Sequence, residues 1–252
     1  MLRTTDRTSL EIVSDLPDDY LVLDIGGGAG PYQRADYIVD VINYDEIAWG
    51  NLRGEGKPRV TPETFVQLDI CSRESWPFKD KQFDYVVCSH VLEDIRDPLW
   101  VCSELMRVSK AGYIEVPSKL YEMTFNLEAK NLAGACHHRW LIDIHQNKLR
   151  FTFKHFYIHF KFINKNRKRL KQKDDGMLLR IEWEDNFSFY ENWLLSGKEI
   201  FEYYLGRTIT EKEMWGLYRK VSPFGPVGAW ARYLKNTFPF FEKIWKKFSN
   251  TK

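Results

Sequence analysis

The chemistry in this sequence begins at Asp24-Ile-Gly26-Gly-Gly28-Ala-Gly30, an acid at the end of an apolar run followed by glycines at every second position. Glycines let a backbone turn sharply and approach a ligand closely, and the carboxylate of Asp24 can accept hydrogen bonds from a bound ammonium. A second acid, Asp40, closes the next apolar run and is placed to accept both hydroxyls of a ribose. A dinucleotide fingerprint fits poorly, because G-x-G-x-x-G begun at Gly26 meets Pro31 and begun at Gly28 meets Gln33. The loop therefore suits a nucleoside better than a pyrophosphate. The cysteines Cys71, Cys88, Cys102 and Cys136 contain no C-x-x-C pair, and His137, His138 and His145 have no carboxylate or thiolate at metal-ligand spacing. No metal site is expected.

These groups need a scaffold that gathers them. Tyr20–Ile25, Tyr37–Val41, Thr64–Asp69, Asp84–Cys88 and Ala111–Val116 are short apolar runs bounded by turn residues, as buried parallel strands are. Asp97 can cap a helix with Pro98 at its first position, and Leu99, Val101, Cys102, Leu105, Met106 and Val108 form its buried stripe. Strands that alternate with helices predict an α/β fold with an open, mostly parallel sheet. Ligands of such sheets bind beyond the carboxyl ends of the strands, where Asp24, Asp40, Asp69, Ser89, His90 and Glu115 all fall.

The chain has 252 residues and 44% hydrophobic content, enough for a sizeable core. Its 29% charged residues disfavour collagen-like and disulfide-scaffold classes. No apolar run approaches the ~20 residues of a membrane-spanning helix, and Met1 to Asp19 carries acids where a signal peptide would be apolar. A cytoplasmic protein is expected. Residues 1–148 hold 16 Lys and Arg against 24 Asp and Glu, whereas residues 149–252 hold 21 against 11. Two regions follow, 1–150 and a basic, aromatic α+β extension at 151–252.

Across and beyond that boundary Trp140–Ile144 with Leu149–Phe153, and Leu178–Glu182 with Phe187–Tyr190, read as two hairpins. Ser196-x-x-Glu199 and Thr210-x-x-Glu213 read as capping boxes of two helices separated by Gly206. Lys161–Lys173 is a basic run, read as a solvated loop or as a surface for an acceptor's phosphates. Trp230, Tyr233, Leu234, Phe238, Phe241, Trp245 and Phe248 recur at helical steps with lysines on other faces. That pattern fits a peripheral membrane contact through residues 229–252, or a helix closing the core. No specific nucleic-acid module is visible.

The segments VLDIGGGAG, YIVDV, FVQLDI, FDYVVCSHVLEDIRDP and ELMRVSKAGYIEVPS occur in this order over about residues 20–118. Together they resemble class I S-adenosylmethionine-dependent methyltransferases, in particular the methyltransferase type 11 group and a bacterial subset with a shortened first helix. The resemblance implies a Rossmann-like sheet at 1–150 with S-adenosylmethionine as cofactor. It implies that Asp24 and the loop Gly26, Gly28 and Gly30 meet the amino-acid end, Asp40 the ribose, Asp69 and Ile70 the adenine, and Ser89 the neighbourhood of the sulfonium. Where the family often has Leu-Glu-His, this chain has Leu92-Glu93-Asp94, so His90 becomes the expected general base with Glu93 and Glu115 behind it. Cys136-His-His-Arg-Trp140 resembles a segment that closes over the site. The expected reaction is methyl transfer to a hydroxyl or amine of a small-molecule or cell-envelope saccharide acceptor. The alternative is a non-catalytic protein that keeps the cofactor fold as a scaffold, with a membrane- or partner-docking C-terminal region.

Overall fold

The computed structural model describes residues 2–159 and 176–221, which form two compact units, one of residues 2–159 with 176–193 and one of residues 194–221. The Lys161–Lys173 run and the aromatic stretch from Trp230 lie outside the described residues.

The first unit is built on a seven-stranded sheet. Its strands are β1 (Leu2–Thr4), β2 (Val22–Ile25), β3 (Tyr37–Asp40), β4 (Phe65–Gln67), β5 (Phe83–Ser89), β6 (Ser109–Pro117) and β9 (Leu178–Glu184), in the spatial order β1-β9-β6-β5-β2-β3-β4. The five from β4 to β6 are mutually parallel, with Leu23 opposite both Tyr37 and Val86. β9 runs antiparallel to β6, and β1 antiparallel to β9. All five expected parallel strands are present, and the order reverses between β2 and β5. That reversal is a topological switch point, where open sheets hold their ligands.

Alternation along the strands sets the two faces. Val86, Cys88, Ile114 and Val116 pack with Val101, Cys102, Leu105 and Val108 of helix α2 (Pro98–Val108). Tyr85, Val87, Val22, Ile38 and Tyr113 face the other way, onto Ile12 and Val13 of helix α1 (Ser9–Ser14). Burial on both faces explains why these strands read as continuous apolar runs. Asp97 caps α2 through a hydrogen bond from the Trp100 amide at 3.2 Å, with Pro98 in the first turn, as the sequence predicts. At Gly112 in β6 any Cβ would sit 2.6 Å from a Val86 methyl and 2.9 Å from the Trp183 ring, so glycine is what lets β5, β6 and β9 lie side by side.

The connections depart from the expected strand–helix alternation. α2 joins β5 to β6, but β2 reaches β3 through a 3-10 turn at Gly27–Ala29 and extended chain. β3 reaches β4 through two more 3-10 turns, at Tyr44–Glu46 and Trp49–Asn51. Too few residues separate Gly30 from β3 for a full crossover helix. A short helix α3 (Lys119–Met123) follows β6.

A separate three-stranded sheet holds β7 (Trp140–His145), β8 (Lys148–Phe153) and β10 (Phe189–Glu191), in the order β10-β8-β7. β7 and β8 form the expected hairpin, whose turn residues Gln146 and Asn147 both have positive φ, at 50° and 57°. The second expected hairpin is corrected. Asp185 does turn the chain, with φ 58°, but β9 joins the large sheet beside β6 while β10 pairs in parallel with β8. The first unit thus takes in strands well past residue 150. In the second unit, α4 (Gly197–Leu205) and α5 (Glu211–Val221) carry the two predicted capping boxes, and Gly206 ends α4 with φ 66°.

Candidate functional site

At the carboxyl end of β2, Gly26 takes φ 73° and its amide donates to Val39 O at 2.8 Å, which turns the loop across the end of β3. The Gly28 amide donates to Asp40 Oδ2 at 2.8 Å, and Asp40 Oδ1 accepts from the amides of Val41 and Ile42 at 2.6 and 3.3 Å. A Cβ at Gly28 would press on both Asp40 Oδ2, at 2.8 Å, and Ile42. Asp24 lies under the same loop, 2% exposed, with its Oδ2 accepting from the Tyr32 amide at 3.2 Å. Burial pushes its carboxyl up to about 7, against the opposing effects of that amide and of Arg53. Asp24, the glycine loop and Asp40 therefore lie together at the ends of β2 and β3.

Arg53 is a residue that reading did not reach. Its guanidinium donates to the Tyr32 hydroxyl at 2.7 Å, lies over the Tyr32 ring at 5.0 Å, and sits beside Gly30. It sits in a glycine-rich surface loop between β3 and β4, and no local spacing marks it out. It places a fixed positive charge near the ionisable Asp24, a pair suited to the two ends of an amino-acid moiety.

Beyond β4, Asp69 Oδ1 accepts from the Cys71 amide at 2.9 Å and Oδ2 from the Arg96 guanidinium at 2.7 Å. The Arg96 bond is the main reason that the Asp69 carboxyl lies below its ordinary range, with the Cys71 amide adding to it. Ile70 beside it packs against the core.

The third group sits at the ends of β5 and β6. The Ser89 hydroxyl donates to Glu115 Oε1 at 3.1 Å, and the His90 amide donates to Glu115 O at 2.8 Å. His90 adopts φ 56°, an uncommon conformation for histidine, which swings its half-exposed ring off the strand. Its Nδ1 lies 3.3 Å from Glu93 Oε1 and its Nε2 3.6 Å from Glu115 Oε1. Glu93 is 1% exposed, and neither carboxylate oxygen has a hydrogen-bond partner among the described residues. Glu115 is fully engaged. Its Oε2 accepts from Tyr113 Oη at 2.8 Å and from Arg180 Nε at 2.7 Å. Burial works to raise its carboxyl, but these two hydrogen bonds outweigh it and hold the group below its ordinary range. Arg180 comes from β9, far along the chain, and its role is invisible without the sheet order.

The segment 136–140 folds onto the loop after β5. The amides of Arg139 and Trp140 donate to Glu93 O at 2.7 and 3.2 Å, and the Trp140 indole donates to Ile95 O at 2.9 Å.

The residues present fit an adenosyl amino acid. A glycine cradle that leaves little room for a Cβ is flanked by a buried acid and an arginine at one end and by the Asp40 and Asp69 carboxylates at the other. Residues 23–114 match the family model described as a methyltransferase domain. Over this segment the chain is similar to the methyltransferase-domain family. The match implies S-adenosylmethionine as the cofactor. Solved structures similar to the chain include a SAM dependent methyltransferase from Aquifex aeolicus, 21% identical with a TM-score of 0.32 over 44% of this chain and 65% of that one. An S-adenosylmethionine dependent methyltransferase from Mesorhizobium loti is 13% identical with a TM-score of 0.32, over 58% and 62% of the two chains. An arsenic(III) S-adenosylmethionine methyltransferase from Chlamydomonas reinhardtii is 17% identical with a TM-score of 0.30, over 45% and 50%. The chain thus spans between 50% and 65% of the length of these three chains. No curated protein matches the chain.

Proposed function

We propose that the chain transfers a methyl group from S-adenosylmethionine to a hydroxyl or amine of a small-molecule or cell-envelope saccharide acceptor. The observation that carries this reading is the joint placement of Asp24, Gly28 and Asp40 with His90, all at the carboxyl edge of one parallel sheet.

Asp24 and Arg53 hold the ammonium and carboxylate of the cofactor's amino-acid end, the Gly26–Gly30 backbone lies against it, and Asp40 takes the ribose hydroxyls. Asp69 and Ile70 bound the adenine, and Ser89 lines the wall near the sulfur. When bound, the cofactor supplies an electrophilic methyl carbon attached to positively charged sulfur. The remaining work is alignment of the acceptor and removal of its proton. His90 accepts that proton, and the Glu93 and Glu115 carboxylates on its two nitrogens stabilise the imidazolium that forms. Glu115, held ionised by Arg180 and Tyr113, serves as the fixed charge and not as the base. A histidine base suits oxygen and nitrogen acceptors, whose protons are held more tightly than a thiol's. Residues 229–252 add a peripheral membrane contact to this reading, on the strength of their aromatic and lysine pattern.

Isothermal titration with S-adenosylmethionine tests the cofactor site; absence of heat from the folded protein, or equal heat from Asp40→Ala, overturns it. An acceptor panel with labelled methyl donor tests turnover, with His90→Gln expected to lower it about 100-fold or more. Unchanged turnover in that variant would remove the base role. Co-sedimentation with anionic vesicles that survives deletion of residues 229–252 would remove the membrane contact.

A further inference from the structure

Asp94, His137 and His138 each present one metal-ligating atom, and the three atoms lie within 4.8 Å of one another. Asp94 Oδ1 is 3.9 Å from His137 Nε2 and 3.8 Å from His138 Nε2. The two imidazoles meet edge to face with their centroids 4.5 Å apart. We propose that these residues form a binding site for a divalent transition-metal ion, zinc first among them, with one coordination position left to an oxygen ligand.

Four observations support this assignment. Asp94 Oδ1 is buried and accepts no hydrogen bond among the described residues, although it lies between two imidazole nitrogens. The nitrogen of each imidazole that faces away from Asp94 has a second carboxylate on its side, within hydrogen-bond distance at His138 and farther off at His137. His138 Nδ1 is 2.5 Å from Glu122 Oε1, and His137 Nδ1 is 3.8 Å from Glu128 Oε2. At His138 that carboxylate–histidine arrangement fixes the ring and raises the basicity of the nitrogen turned to a metal. Glu122 is itself held by Lys154, so the supporting shell is locked from behind. Finally, the charge favours a cation: among the described residues Glu93, Glu122 and Glu128 lie beside Asp94 and the two imidazoles, with the buried Lys154 paired to Glu122.

The separations are close to what coordination needs. Tetrahedral ligands at zinc bond lengths of 2.0–2.2 Å stand roughly 3.4 Å apart, so the pairs at 3.8 and 3.9 Å need to close by about half an ångström each. His137 is 64% exposed and free to make that adjustment, whereas His138 is 7% exposed and already set. The two segments are tied together by the Arg139 and Trp140 amides on Glu93 O, so the ligands come from one clamped unit. Two imidazoles and one carboxylate suit zinc or iron over magnesium or calcium, which prefer all-oxygen sets. The carboxylate arrives from the loop after β5, which is why no local spacing around the histidines announces it.

The proposal does not depend on the cofactor reading and is tested without it. The full chain, made without a polyhistidine tag and stripped with EDTA, is titrated with Zn2+ by calorimetry. One site per chain is expected, weakened at least tenfold in His137→Ala and in Asp94→Asn and unchanged in His145→Ala, whose ring instead meets Tyr190. With Co2+ as a spectroscopic probe, a visible absorption band is expected that His137→Ala abolishes. The exposed His137 makes that variant safe for folding. Absence of stoichiometric uptake, or uptake that His137→Ala leaves untouched, would overturn the site.

Discussion

The amide of Gly28 and the carboxylate of Asp40 are 2.8 Å apart, and the same carboxylate oxygen stands where a Cβ on Gly28 would press against it. The acid proposed to take the ribose hydroxyls also holds the glycine loop in place. Gly28→Ala should therefore displace Asp40 and Ile42 together. Calorimetry should show affinity for S-adenosylmethionine falling at least tenfold, or about 1.4 kcal/mol. The thermal midpoint should fall by only a few degrees, because the change is confined to a loop. Equal affinity in the variant would mean that the loop gives way without moving Asp40.

Asp24 makes the site sensitive to pH. Its carboxyl lies at about 7 in the folded chain because it is buried, against an ordinary value of 3.8. A proton favours the folded state here, so this stabilisation is complete below about pH 3.8 and lost as pH rises to about 7, an effect of roughly 2–4 kcal/mol. A cofactor ammonium needs the ionised form, so affinity should rise with pH through the same region. Asp24→Asn should remove both trends, giving a chain that is more stable than the native one at pH 8 and binds the cofactor poorly. Urea denaturation across pH and calorimetry in matched buffers would reveal it; a wild-type affinity that is flat from pH 6 to 8 would speak against Asp24 as the ammonium acceptor.

Glu115 titrates in the opposite sense. Although burial opposes it, hydrogen bonds from Tyr113 and Arg180 lower its carboxyl, so its stabilisation is present above the ordinary carboxylate range and is lost as pH falls through the lowered value. Glu115→Gln leaves the part-buried Arg180 without a counter-charge and should cost about 1–3 kcal/mol in denaturant unfolding at pH 7. It should also lower turnover more than cofactor affinity, since His90 loses one of its two carboxylates.

What the sequence could show follows from the range of each interaction. The parallel strands are legible because burial on both faces leaves continuous apolar runs, and the Asp97 cap is legible because its partner, Trp100, is three residues away. The Asp185 turn is equally local. The partner of the strand after it is not, because pairing depends on which edge is free, and β10 found β8. Arg180 reaches Glu115 only after β9 docks beside β6, and Asp94 meets His137 and His138 only after the 136–140 segment folds back. β1 has three residues and a single buried one, too short for periodicity to show.

Trp140 separates binding from turnover. Its ring is 8% exposed, its indole nitrogen donates to Ile95 O, and its amide donates to Glu93 O, so it closes the 91–95 loop from two directions. Trp140→Phe keeps the backbone bond and most of the apolar contact but leaves the Ile95 carbonyl without its donor. The cost to stability should be about 1–2 kcal/mol. The Asp24, Gly28 and Asp40 cluster makes no contact through that bond, so cofactor affinity should stay within about twofold, a change of roughly 0.4 kcal/mol. Turnover should fall more, because Glu93 faces His90 from the loosened loop. A variant that loses cofactor affinity and turnover in equal measure would place Trp140 in the support of the whole sheet edge and not of the acceptor side.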